Sequence, residues 1–229
     1  MRKITALLAF SFLVTGCIGG VIRSKIAEGI EDSLPQYIGP AKKYSVKVLG
    51  PSEPMLRGKF EHLHIEGLEV QISENLMVDR LIVDMDKVEA DPETRQIRSV
   101  AATVFTAEVA EKSINDYICA ARPDIKGLTL DLQEGKLTVT ARPSVLGIGV
   151  EFKVTGKPVI AGKDKINFVA DSASLARLPI PALVVNKVLD RMNPVLDLGE
   201  MQFPVALTSI AIKNDAVIIN GKAEFKTAK

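Results

Sequence analysis

The chain has 229 residues, 47% of them hydrophobic, which is enough to build the core of one sizeable domain without disorder. Lys and Arg number 29 against 28 Asp and Glu, and no basic run reaches the density of a phosphate-binding surface, which argues against nucleic acid as a partner. Aromatic residues make up 5% and Trp is absent, so the interior must be aliphatic.

Arg2 and Lys3 precede an apolar run, Ile4 to Val14, that is too short to span a bilayer and has the layout of a secretory signal over 1–16. The run closes on Val14-Thr15-Gly16-Cys17, which resembles the lipobox of bacterial lipoproteins, where a cysteine behind small residues is diacylated and becomes the new N-terminus. That resemblance implies lipid attachment at Cys17, a lipidated tether over 17–24, and a place at a membrane of the bacterial envelope, on the periplasmic face or the cell surface. Two acyl chains anchor a protein stably where one does so only marginally, at ~0.8 kcal/mol per buried methylene. An ordinary signal peptide or an uncleaved anchor is the alternative. Only two cysteines are present, so lipidation of Cys17 leaves Cys119 without a disulfide partner, and it reads as a small, partly buried helix residue.

Ile22, Ile26, Ile30 and Leu34 recur four apart and predict an amphipathic helix stopped by Pro35. Tyr44 to Leu49 alternates as a strand, Gly50 to Pro54 turns, and Leu56 to Ile72 is extended with a break near Gly67. Leu76 to Val88 predicts a half-buried strand, with Leu81, Val83 and Met85 on one face and Asp84 and Asp86 on the other. After the turn Asp91-Pro92-Glu93, Ile97 to Phe105 returns as a strand. Thr106 to Arg122 then reads as the clearest amphipathic helix, with Ala107, Ala110, Ile114, Tyr117, Ile118 and Ala121 on one stripe and Thr106 as its cap. Leu128 to Leu132 and Leu137 to Ala141 form a hairpin around Glu134-Gly135. Ile148 to Val154 and Ile166 to Ala173 are further strands, and Pro179 and Pro181 open a third helix over 182–192. Strands at Val205 to Ile212 and Ala216 to Gly221 close the chain as a hairpin. Each of three helices is followed by strands, a hint of duplication in which the residue identities do not visibly align.

His62, His64 and Glu66 share one strand face and are metal-ligand types, but without a further histidine they read as a solvated face. Asp84 and Asp86 read in the same way. No G-x-S-x-G, S-x-x-K, H-E-x-x-H or glycine-rich phosphate loop occurs. The chain is therefore read as a non-enzyme, with no catalytic residue, metal or cofactor assigned. Its aliphatic stripes fill a core or line a cavity, and periodicity does not distinguish the two.

Between Val21 and Phe225 the chain resembles the LmeA-like phospholipid-binding proteins of the bacterial envelope. The likeness rests on Val46 to Pro51 with Leu56 to Phe60, on TAEVAEKSINDYI, and on the stretch LPIPALVVNKVLDRMNPVLDLGEMQFPVALTSIAIKNDAVIINGKA. The resemblance implies an α+β fold of the tubular lipid-binding (TULIP-like) kind: long amphipathic helices on a strongly curled antiparallel sheet around an elongated apolar groove. It implies one domain over 25–229, readable as two similar halves, 35–122 and 123–193, plus a C-terminal hairpin. The ligand implied is a phospholipid or other acyl lipid, bound for transport, sensing or envelope maintenance. The inward stripes place its lining at Ala110, Ile114, Tyr117, Ile118, Leu130, Leu132, Val139, Phe152, Phe168, Val185 and Leu189. The alternative is a non-enzymatic envelope scaffold with a filled core and a protein partner.

Overall fold

Period-two alternation of aliphatic and polar residues dominates the chain, and strand is what it forms. The computed structural model describes residues 15–93, 97–123, 125–142, 144–145, 148–149, 151–182, 185–186, 189, 193–199 and 204–224. Helix α1 (Thr15–Glu31) and the short α2 (Leu34–Tyr37) lead into β1 (Ala41–Leu49), α3 (Ser52–Leu56), β2 (Lys59–Ser73), β3 (Leu76–Ala90), β4 (Ile97–Ser99) and β5 (Ala102–Ala110). Helix α4 (Glu111–Ala121) precedes β6 (Thr129–Gln133), β7 (Lys136–Ala141), β8 (Ser144–Val145), β9 (Ile148–Gly149), β10 (Phe152–Ala161) and β11 (Lys165–Leu175). The chain closes through β12 (Leu178–Pro179), β13 (Leu196–Asp197), β14 (Val205–Lys213) and β15 (Ala216–Ala223). Residues 17–24 are part of α1, and Pro35 lies in the first turn of α2 rather than beyond a continuous helix. Between β1 and β2, the predicted 50–54 turn has coiled in part into α3.

Among the described residues two large open antiparallel sheets result, besides the separate two-stranded pair β8–β9. The first runs β1-β2-β3-β5-β15-β14 and the second β12-β11-β10-β7-β6, with β4 on β3 and β13 on β11. Among the described residues neither closes on itself nor curls strongly, which corrects the expected tube. The C-terminal hairpin crosses back to the first sheet, where β15 pairs with β5 from Ala216↔Ala110 to Lys222↔Val104. One apolar cluster joins the sheets, with Ile65, Val70 and Val88 fully buried in the first and Leu130, Leu132, Val154 and Phe168 packed from the second.

The central helix is shorter than the periodicity predicts. Thr106 to Ala110 belong to β5, with Ala107 and Val109 buried between β3 and β15. An alanine-rich segment flanked by two strands gains ladder hydrogen bonds on both sides, which outweigh its helix propensity. Thr106 is consequently not a cap, and its hydroxyl donates to Asn220 Oδ1 at 2.7 Å. Asp79 of β3 does the capping instead: its Oδ2 accepts from the Ala110 amide at 2.7 Å and its Oδ1 from the Ser113 hydroxyl at 3.1 Å.

Sheet edges are closed by side chains. Along α4, Glu111, Asn115 and Cys119 recur every fourth residue, a rise of ~6 Å, while the outward backbone groups of β6 recur every second residue, ~6.8 Å. The two repeats match. Glu111 Oε2 accepts from the Leu132 amide at 2.7 Å, and the Asn115 amide pairs with both backbone groups of Leu130 at 2.7 and 2.8 Å. Cys119 Sγ donates to the Leu128 carbonyl at 3.4 Å. Glu31 of α1 likewise accepts from the Val46 amide of β1 at 2.7 Å, and Arg23 donates to the Gly50 carbonyl at 3.0 Å. On β14, the Leu207 amide donates to Lys163 O at 2.6 Å and Ile212 O accepts from the Gly135 amide at 3.2 Å, so two hairpin turns of the second sheet cap the edge of the first. Asn193 brackets Phe168 on β11 at 2.9 and 3.1 Å.

Candidate functional site

The eleven apolar residues expected to line a cavity come from both sides of the core. Leu130 and Leu132 on β6 and Phe168 on β11 are buried within the main cluster. Ile114 and Ile118 on α4, Val139 on β7, Phe152 on β10, and Leu189 pack against it half-buried. Ala110 sits at the β5–α4 junction and Tyr117 is half-buried on α4, neither belonging to that cluster. Of the predicted third helix, Ala182, Val185, Asn186 and Leu189 are described and helical, with Val185 buried. Val188 and Met192 lie outside the described residues, as does Val150.

Two depressions open to solvent, and neither contains those eleven residues. One, of about 390 Å³, lies between Pro35 to Pro40 and Gln71 to Glu74. The other, of about 270 Å³, is bounded by Lys153, Thr155, Ser172 to Ser174, Arg177 and Pro179. Neither depression is the expected elongated groove, and apolar side chains of the two sheets meet in the shared core cluster.

On the outward face of the first sheet the structure assembles residues that the sequence separates by about twenty positions. His62 on β2 lies opposite Asp86 on β3, and His64 opposite Asp84. His62 Nδ1 is 2.8 Å from Asp86 Oδ1, His64 Nδ1 is 2.7 Å from Asp84 Oδ1, and His62 Nε2 is 3.2 Å from the same Asp84 oxygen. The hydrogen bond to Asp86 raises the His62 pKa above the ordinary imidazole value, opposed by partial burial and helped by the charges of Asp84 and Asp86. Next along β2, Glu66 accepts from Arg80 Nε at 2.7 Å, and that bond holds its carboxyl below the usual range. Among the described residues, the partners of both imidazoles are aspartates and not serine hydroxyls, the pairing that a serine hydrolase would require. Asp84 and Asp86 look merely solubilising in the sequence, because nothing in it reveals the β2–β3 register.

No helix among the described residues is long and apolar enough to cross a membrane. Neither the curated proteins nor the solved structures compared contain a match to the chain. A family model does match, over residues 14–222 and hence nearly the whole length, including both sheets, α4 and most of the C-terminal hairpin. Because the match spans nearly the whole chain, the chain belongs to the LmeA-like phospholipid-binding family.

Proposed function

We propose that the protein is a lipoprotein of the bacterial envelope, anchored through Cys17, that takes up a phospholipid or similar acyl-chain lipid for transport, sensing or envelope maintenance. The observation that carries this reading is the family match over residues 14–222. Chemistry supports it: a buried C16 chain represents ~13 kcal/mol of transfer free energy at ~0.8 kcal/mol per methylene, so binding needs an aliphatic lining and no covalent step. We place that lining at Ile114, Ile118, Val139, Phe152 and Leu189, which pack half-buried against the core cluster that holds Leu130, Leu132 and Phe168. A TULIP-like groove would open on this side, by separation of α4 and the helical residues Ala182, Val185, Asn186 and Leu189 from the second sheet. We further infer that 35–122 and 123–193 are two similar halves. Each is preceded by a helix that lies along the outer edge of its first strand, β1 or β6, and each contains a four-strand antiparallel meander.

The shallow depressions favour a second reading, a scaffold with a filled core that binds a protein partner. Native mass spectrometry with lipid extraction separates the two, on protein from residue 19 onward purified without detergent from a bacterial host. Phospholipid co-purifying in fixed stoichiometry is expected, and its loss in a folded Ile118→Asp variant would locate the site at α4. An empty protein that also refuses added phospholipid overturns the lipid reading in favour of the scaffold.

A further inference from the structure

The His62, His64 and Asp84 cluster is unused by lipid binding and has the layout of a metal centre. One ligating atom from each of the three residues lies within 4.8 Å of the others. A tetrahedral Zn²⁺ with bonds of ~2.0–2.1 Å sets its donors ~3.3 Å apart. His62 Nε2 and Asp84 Oδ1, at 3.2 Å, already stand at that spacing. His64 Nδ1, at 2.7 Å from the same oxygen, stands about half an ångström inside that spacing, a difference that side-chain rotation can take up.

The support behind these donors is the stronger argument. Asp86 lies 2.8 Å from His62 Nδ1. An ionised carboxylate can only accept, so it takes the Nδ1–H, and when an ion displaces the Nε2 proton that now faces Asp84, the Nε2 lone pair is already aimed at the cluster. This carboxylate–histidine arrangement is what holds imidazole ligands in metal centres. The i and i+2 spacing of the histidines on β2 and the opposed aspartates on β3 place all four groups on a paired two-strand frame whose inward residues, Leu63, Ile65, Val83 and Met85, are buried. The frame is therefore rigid. Asp84 and Asp86 bring two negative charges, while Lys47, opposite His64 on β1, and the Glu66–Arg80 pair together add one positive charge, so with neutral imidazoles the face is anionic.

We propose that His62 Nε2, His64 Nδ1 and an Asp84 oxygen bind one divalent transition-metal ion, with Asp86 as the positioning residue. Two nitrogens and one oxygen suit borderline ions such as Zn²⁺, Cu²⁺ or Ni²⁺ and not Mg²⁺ or Ca²⁺, which require oxygen-rich shells. About a third of each ligand side chain is exposed, so water completes the coordination. The ion would pin β2 to β3 on the face opposite the lipid side of the sheet, and the inference is independent of the lipid reading.

Zn²⁺ is the probe. Tag-free, chelator-stripped protein is titrated with ZnCl₂ by calorimetry, with MgCl₂ as control. One Zn²⁺ per chain is expected, with binding weakened at least tenfold in His62→Ala and Asp84→Asn. Asp86→Asn is expected to weaken it 10- to 100-fold at unchanged stoichiometry, the range for a group that orients a ligand. Because the chain has only two histidines, imidazole ¹⁵N spectra are sparse, and the His62→Ala variant assigns each set of resonances. The His62 Nε2 and His64 Nδ1 resonances should move on adding one equivalent of Zn²⁺. Unmoved imidazole resonances, or Zn²⁺ affinity unchanged by His62→Ala, overturns the assignment.

Discussion

Tyr44 illustrates how much one buried polar group depends on its surroundings. Its ring covers Gly67, where an added Cβ would stand 2.9 Å from Tyr44 Cε1 and 2.6 Å from Val70 Cγ2, so only glycine fits beneath it. The hydroxyl donates to the Gly39 carbonyl at 2.7 Å. Burial pushes its pKa from 10.0 up to about 12. Since the folded state favours the neutral phenol, its contribution is complete below pH 10 and is lost as pH rises toward 12. That loss is on the order of 1–2 kcal/mol once the partial solvent contact of the ring is allowed for. Absorbance titration of tyrosinate should show a step near pH 12 that Tyr44→Phe removes. Asp79 acts over a similar range, because Asp79→Ala leaves the Ala110 amide and the buried Ser113 hydroxyl without their acceptor. A loss of about 1–2 kcal/mol in urea denaturation is expected, at unchanged m-value.

At the scale of elements, the polar stripe of α4 does what apolar stripes usually do. Glu111 and Asn115, polar residues outside the apolar stripe, are half-buried against β6 and stand in for a missing neighbouring strand. The Asn115 side chain reproduces the donor and acceptor of a peptide group, and Asn193 repeats the device on β11. An unprotected strand edge is a template for aggregation, so these contacts carry solubility as well as stability. Asn115→Leu should speed hydrogen exchange of the Leu130 amide at least tenfold and cost about 1–3 kcal/mol, with increased self-association measured by light scattering. Equal exchange in the variant would mean that water serves Leu130 as well as Asn115 does.

For the whole molecule, the return of the C-terminal hairpin decides its integrity. Strand β15 lies between β5 and β14, and Val217 and Ile219 on it are buried in the common core. Deleting residues 204–229 would strip β5 of one neighbour from Val104 to Ala110 and uncover the junction that starts α4. The truncated chain is expected to be insoluble or unfolded by circular dichroism. The intact chain, with one core shared by both sheets, should unfold in one cooperative step.

Strand positions and faces were legible from local alternation, since a sheet with one buried side imposes period two on the residues themselves: β1, β3, β6, β7, β14 and β15 lie where that pattern places them. The aliphatic character of the core and the family likeness were legible too, because both are distributed along the chain. Tertiary structure alone decided the rest. Thr106 to Ala110 read as the start of a helix by their spacing, and two flanking strands make them extended instead. Glu69 and Lys87, in left-handed conformations with φ of 52° and 49°, shift the inward parity of β2 and β3, a change with no signature in residue type. The opposition of His62 and His64 to Asp86 and Asp84 depends on a strand register, and the pairing of Asn115 with Leu130 on the packing of a helix along a strand. Such long-range pairings arise from geometry across the fold, and local sequence does not encode them.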